Sequence, residues 1–398
     1  MRVLFTVNFW RGGEGNSCFQ QTVPLANALR SAGHEVAYAM AEQAHADPIG
    51  AGFHAFPAGA NDEFTRLQSA LNAANAPEDE RSRRYFRELL GGICARTMAR
   101  DIVNLSRDWR PDIVVREDTE FGGCLAAEAL GLPHVAVKVT GMRPPSFMRD
   151  LETLNGRRAE LGLPPDIEGL MPYRHLLLVP MPEALYGGAA PRTAQFIQPL
   201  LFQDAAVRAL PDWVDSLPDR PTILATSGNT FGRHPAVLRT IVEGLCAADV
   251  NVIATVGRGV NTAALGVAAD NLWIEDWLPL EQMLPRCALV VCHAGPATVL
   301  SSLRNGLPLV LVPFGFDQPW NAAACVTAGV GLSVDPDART PEAIRRAAEV
   351  VLAEPRFTLA ARGVAGEIAA LPGVDQAASL VEALARPGQA QPGGHRPM

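Results

Sequence analysis

Cys292-His293-Ala294-Gly295-Pro296-Ala297-Thr298 follows an apolar run and opens an amphipathic one, the position of a strand-to-helix turn. Small residues there let the backbone approach a phosphate, and the free N–H groups and positive end of the helix then stabilise the anion. His293 adds a side-chain donor for a diphosphate oxygen. Upstream, Trp277-Leu278-Pro279 offers an aromatic face for a base and backbone groups for its edge. Downstream, Pro313-Phe314-Gly315-Phe316-Asp317-Gln318 sets a carboxylate beside an amide, with Asn321 beyond, at a strand's carboxyl end where open α/β sheets bind ligands. Those two side chains suit the hydroxyls of a sugar. Each piece alone also reads as ordinary structure: a buried histidine, a core tryptophan, a helix-capping aspartate, a surface glutamine. Their order and spacing make the ligand reading the more specific one.

In the other half of the chain, Glu117 and Asp118 follow the apolar run 112–116, where a carboxylate can act as a general base or simply be solvated. A second phosphate-side turn is offered by Ser227, Gly228 and Asn229, although by itself this is a glycine-containing turn. His34 and His134 stand at Gly-His and Pro-His strand entries and read as structural.

Short apolar runs alternating with amphipathic stretches must hold these residues, the pattern of β/α units around a parallel sheet. Strands are expected at 3–8, 34–39, 112–116 and 134–139, with helices at about 20–31 and 123–130. Residues 77–110 read as inserted helices and residues 143–181, rich in Pro and Gly, as loops. The alternation restarts with strands at 222–226, 250–256, 272–277, 288–292 and 307–313. The expected division is an acceptor-side domain 1–205, a Pro- and Asp-rich linker 206–220, a second domain 221–385 and a disordered tail 386–398.

A chain of 398 residues, 48% hydrophobic and 19% charged, suits two globular domains. A net charge of -8 without any Lys/Arg-rich run argues against nucleic acid or an anionic membrane as partner. The seven cysteines form no CxxC pair and no Cys/His zinc spacing, so no metal site is expected and the thiols read as reduced and cytoplasmic. The opening apolar run is broken by Arg11-Gly12-Gly13, unlike a signal peptide, and no run reaches the roughly 20 residues of a membrane span.

The run 277–331 resembles the nucleotide-sugar signature of the inverting GT-B, family 1 glycosyltransferases, which include plant UDP-sugar enzymes and bacterial natural-product enzymes. Residues 23–36, Val-Pro-Leu-Ala-Asn-Ala-Leu-Arg-Ser-Ala-Gly-His-Glu-Val, resemble that family's first helix and second strand. Leu154-Asn155-Gly156-Arg157 with Gly162-Leu163-Pro164 is similar to the bacterial, antibiotic-type branch. The likeness spans nearly the whole chain and is weakest across 62–110.

The resemblance implies two Rossmann-like doubly wound α/β domains facing across a cleft, and transfer of a sugar with inversion from a TDP- or UDP-sugar to a small natural-product acceptor. It needs no cofactor beyond the donor substrate. By position, Trp277 and Leu278 would border the base, and His293, Gly295, Pro296, Ala297 and Thr298 the diphosphate, with Ser227, Gly228 and Asn229 beside it. Asp317 and Gln318 would meet the donor sugar. A homodimer is admitted, not required.

Two positions depart from the family pattern. Its N-terminal loop carries a histidine base seven residues before the Leu-Ala of the first helix, where this chain has Cys18. A neutral thiol is a poor proton acceptor for an alcohol. Glu117, Asp118 or Glu14 could take the role, or the acceptor could be an acidic phenol, an amine or an activated aromatic carbon that needs no strong base, so the bond formed can be to O, N or C. Ser301 stands where plant-type members bind the ribose through glutamate, and Ala297 where they have asparagine, which is compatible with a thymidine-diphosphate deoxysugar. A catalytically silent nucleotide-sugar-binding partner protein is the alternative function. Gly13-Glu14-Gly15 prompts a weaker NAD-binding reading, because Cys18 occupies the third glycine position.

Overall fold

Ile113–Glu117 is buried at every position, and so is Thr222–Thr226. Continuous apolar and β-branched runs of this kind belong in the middle of parallel sheets covered on both faces. The computed structural model describes residues 1–8, 17–59, 62–73, 80, 83–142, 150–202, 209–228 and 235–386, and builds a sheet around each of these strands. Glu14, Asn229 and the tail beyond Arg386 lie outside the described residues.

The first sheet holds β1 (Arg2–Thr6), β2 (Glu35–Met40), β3 (His54–Pro57), β4 (Ile113–Glu117), β5 (His134–Val137), β6 (Leu176–Val179) and β7 (Ala194–Phe196). Their spatial order is β3-β2-β1-β4-β5-β6-β7. The second holds β8 (Thr222–Thr226), β9 (Asn251–Thr255), β10 (Leu272–Glu275), β11 (Leu289–Cys292), β12 (Leu309–Leu311) and β13 (Gly331–Ser333), in the order β10-β9-β8-β11-β12-β13. Every pairing is parallel. Chain order reverses between β1 and β4 in one sheet and between β8 and β11 in the other, the two places where a crevice opens at the strand ends.

All nine strands expected from the alternation are present, and the first helix, Ser17–Ser31, starts slightly earlier than expected. The short strands β3, β6, β7 and β13 were not expected. Residues 77–110 do contain helix: a wide-turned segment Tyr85–Cys94, kinked at Gly92, runs into Ala95–Leu105. The expectation of loops across 143–181 is corrected by the helix Leu151–Glu160 and by β6. That helix is held by polar contacts, which leave no apolar period to read. Asp150 accepts the Thr153 N–H at 3.1 Å to cap it, and Arg158 pairs with Glu128 at 2.5 Å.

The last helix, Val374–Ala385, was expected in the second domain. It returns to the first, burying Ala377, Ala378 and Val381 among Phe19, Leu29 and Tyr38. Glu382 binds His34 at 2.9 Å, and the Gln198 N–H donates to the Pro372 carbonyl. The chain thus straps the two domains together. Among the described residues no single helix is long and apolar enough to cross a membrane.

Val381→Ala should therefore destabilise the first domain although residue 381 follows the second in sequence. The expected loss is about 1–3 kcal/mol, read as a lower urea midpoint with Tyr38 and its neighbours losing amide protection first.

Candidate active site

The registers of the central pairs decide which residues leave the sheets together. Thr226 lies opposite Cys292, so Ser227 and His293 emerge side by side between β8 and β11. His293 is clasped by glycines: a Cβ at Gly228 would lie 2.5 Å from its ring, and one at Gly295 would lie 2.3 Å away. Gly228 also has φ +73°, so glycine is required there twice over. Burial pushes the His293 imidazole down to about 4, partly opposed by a hydrogen bond to the Thr226 backbone. It is therefore a neutral donor or acceptor at neutral pH.

The helix Pro296–Arg304 begins at this point with Gly295 as its cap and no capping side chain. Pro296 has no N–H to leave unpaired, so Ala297 and Thr298 present the first backbone donors toward the strand ends. The Ser227 hydroxyl is fully buried and has no hydrogen-bond partner among the described residues. The same holds for the Gln318 side-chain N–H₂, whose carbonyl oxygen accepts the Phe314 N–H at 2.9 Å. Leaving such groups dry costs about 1–3 kcal/mol each, which a polar ligand would recover.

Asp317 caps the helix Gln318–Thr327 by position without a side-chain capping bond. Beside it Phe316 is 49% exposed with φ +57°, a feature the sequence does not signal. Trp277 follows β10 at the same edge, half-buried, with the Arg258 guanidinium 4.2 Å above its ring. Leu278 turns its side chain into the core, leaving only its backbone for a ligand.

Across the cleft, Thr6 lies opposite Arg116. The three acidic residues at the end of β4 and just beyond it have separate partners. Glu120 accepts from the Gly122 and Gly123 N–H groups and from Thr6, and so caps the helix Gly122–Leu130. Asp118 accepts the Val139 and Thr140 N–H groups, at 2.9 and 3.3 Å, and the Thr140 hydroxyl, with the Lys138 ammonium 3.8 Å away. Glu117 accepts from the Thr119 N–H at 2.6 Å and its hydroxyl at 2.7 Å. Burial, with the Asp118 charge next to it, pushes the Glu117 carboxyl up to about 8, against the Thr119 hydrogen bonds.

Arg116 organises this loop. Its guanidinium is fully buried and donates to the carbonyls of Glu117, Asp118, Glu120 and Pro172. An arginine directly after three apolar residues in the buried strand Ile-Val-Val-Arg-Glu was the available signal for it. The Cys18 thiol, at the start of the first helix, lies within electrostatic reach of Glu117, Asp118 and Asp317. Burial and those three charges raise its pKa far above the ordinary range, so it stays a thiol. Residues from both domains therefore converge on one cleft.

Two doubly wound domains, with a glycine-clasped histidine and a helix start at one switch point and a buried carboxyl at the other, have the fold of the GT-B glycosyltransferases. The crystal structure of the glycosyltransferase VinC in complex with dTDP superposes with a TM-score of 0.76 at 28% identity, over 98% of this chain and 100% of that one. The spinosyn forosaminyltransferase SpnP gives 0.75 at 25% identity, over 97% and 100%. The family model "Erythromycin biosynthesis protein CIII-like, N-terminal domain" matches residues 27–158, and its C-terminal counterpart matches 239–384. The chain belongs to this erythromycin biosynthesis protein CIII-like family of natural-product glycosyltransferases. The tylactone mycaminosyltransferase of Streptomyces fradiae is 29% identical over 381 residues, 85% of this chain and 82% of its own. The 10-deoxymethynolide desosaminyltransferase of Streptomyces venezuelae is 27% identical over 384 residues, 85% and 88% respectively.

The raised Glu117 carboxyl has a consequence for stability. The native state keeps this proton up to about pH 8, while an unfolded chain releases it near the ordinary value of 4.5. Native protein thus binds more protons in that window, and this contribution to stability falls as pH rises through it. Glu117→Gln should lose less stability than wild type between pH 5 and 8 in urea titrations. Parallel curves would contradict the buried, protonated carboxyl.

Proposed function

We propose that the chain transfers a sugar, with inversion and without a metal, from a thymidine-diphosphate sugar to a natural-product acceptor in the cytoplasm. The observation that carries this is the polar cradle at the β8–β11 switch point. Ser227 and Gln318 hold buried polar groups without partners among the described residues, next to the first N–H groups of Pro296–Arg304. Thymidine rather than uridine is supported by Ser301 in place of a ribose-binding glutamate and by the dTDP bound to VinC. Metal independence is supported by donors already aimed at the leaving group.

The acceptor oxygen attacks the anomeric carbon from the face opposite the diphosphate, through a transition state of oxocarbenium character. As the new C–O bond forms, the bond to the diphosphate oxygen breaks. The acceptor proton passes to the Glu117 carboxylate, and His293 with the Ala297 and Thr298 N–H groups stabilises the charge gathering on the departing diphosphate. Glu117 is preferred over Asp118 because burial makes its carboxylate the stronger proton acceptor, whereas the Asp118 carboxylate has the Lys138 ammonium 3.8 Å away.

Calorimetry with TDP tests the donor side. His293→Ala should weaken binding about tenfold or more, and Ser227→Ala by a smaller factor; unchanged affinity in His293→Ala would overturn the assignment. Steady-state kinetics test the base. The wild-type rate should rise with pH and level off above about 8, where Glu117 ionises. Glu117→Gln should lose about 10²- to 10⁴-fold in kcat and the pH dependence with it. A variant that keeps the wild-type profile removes Glu117 from the mechanism.

A further inference from the structure

Asn321 is fully buried and touches both domains. Its Oδ1 accepts the Met142 N–H at 2.7 Å. Its Nδ2 donates to the Ala294 carbonyl at 2.8 Å and to Asp317 Oδ2 at 3.0 Å. The amide cannot be turned over. Reversal would face its N–H₂ against the Met142 N–H and its oxygen against a carbonyl and a carboxylate.

Each partner matters to the cleft. Asp317 is the carboxylate assigned to the donor sugar. Ala294 lies between His293 and the diphosphate-side helix and has φ +66°, a conformation that a residue with a Cβ keeps only when its surroundings hold it there. Met142 belongs to the other domain, in the segment 139–142 that Asp118 ties down through the Val139 and Thr140 N–H groups. Between them Gly141, at φ +58°, passes so close that a Cβ would lie 2.4 Å from Asn321 Oδ1 and 2.9 Å from Pro296 Cβ. An unbroken polar path thus runs from Asp118 on the acceptor side, through 139–142 and Asn321, to Asp317 and the phosphate turn.

We propose that Asn321 is a positioning residue that sets Asp317 toward the donor sugar, and that the Gly141–Met142 backbone of the opposite domain holds Asn321 in that setting. Recognition of the donor sugar by the second domain therefore depends on a backbone segment of the first. This rests on the reading that Asp317 meets the sugar.

The test is the ratio of dissociation constants for TDP and TDP-glucose, measured by calorimetry on the full chain. Asn321→Ala should lower the preference for the sugar nucleotide about tenfold; losing the bond to the Ala294 carbonyl weakens TDP and TDP-glucose alike, so the ratio isolates the part that acts through Asp317. Gly141→Ala, made in the other domain and leaving Asn321 in place, should do the same. The double variant should be no worse than either single one, because both break one path. Asp317→Ala serves as the reference. If it leaves the ratio unchanged, the sugar role of Asp317 fails and this inference fails with it. If Asp317→Ala lowers the ratio but Asn321→Ala and Gly141→Ala do not, the inference alone is overturned. Equal weakening of TDP and TDP-glucose in both variants, or loss of all binding in both, would mean a packing role and would overturn it too.

Discussion

A parallel sheet whose strand order reverses at its centre parts its connections there and leaves a crevice at the carboxyl ends of two neighbouring strands. This chain builds that arrangement twice, between β1 and β4 and between β8 and β11. The residues with chemistry lie within a step or two of those ends: Glu117 at the first pair, Ser227 and His293 at the second. Register is what brings them together. A slip by one residue along β11 would turn His293 to the other face of the sheet and leave Gly228 and Gly295 clasping nothing. The cradle is thus as rigid as the strands behind it, which are buried throughout.

Burial at these ends gives similar groups different properties. Glu117, Asp118 and Glu120 lie within four positions of one another, yet one carboxyl is pushed up to about 8, one is tied to the end of β5, and one caps a helix. Their partners, not their residue type, make the difference. The buried Arg116 guanidinium would be costly without company, and four backbone carbonyls offset that cost. In return the loop has one shape. Cys18 follows the same logic, because burial first and the acidic groups around it second keep the thiol protonated.

The two domains are not independent modules meeting at a hinge. The apolar core around β11 and β12 continues into Ala136, Met142, Leu177 and Met181 of the first domain. The helix Val374–Ala385 closes the chain back on the first domain. Asn321 adds a polar link within the cleft itself.

Much of this was legible from the order of residues alone. Apolar runs of four to six residues report a buried parallel strand, so the central strands of both sheets and the turns at Cys292–Thr298 and Thr226–Gly228 could be placed without coordinates. Residue type and spacing were sufficient because the helix start, the glycines and the histidine act through local backbone geometry. The edge strands and the helix Leu151–Glu160 were not legible, since short strands and helices held by ion pairs carry no apolar period. Nor could the sequence sort the carboxylates at the end of β4, reveal Arg116 as the group that shapes their loop, or bring Asn321 to Met142 across 179 positions. Those outcomes depend on which atoms become neighbours once water is excluded. Only the folded chain decides that.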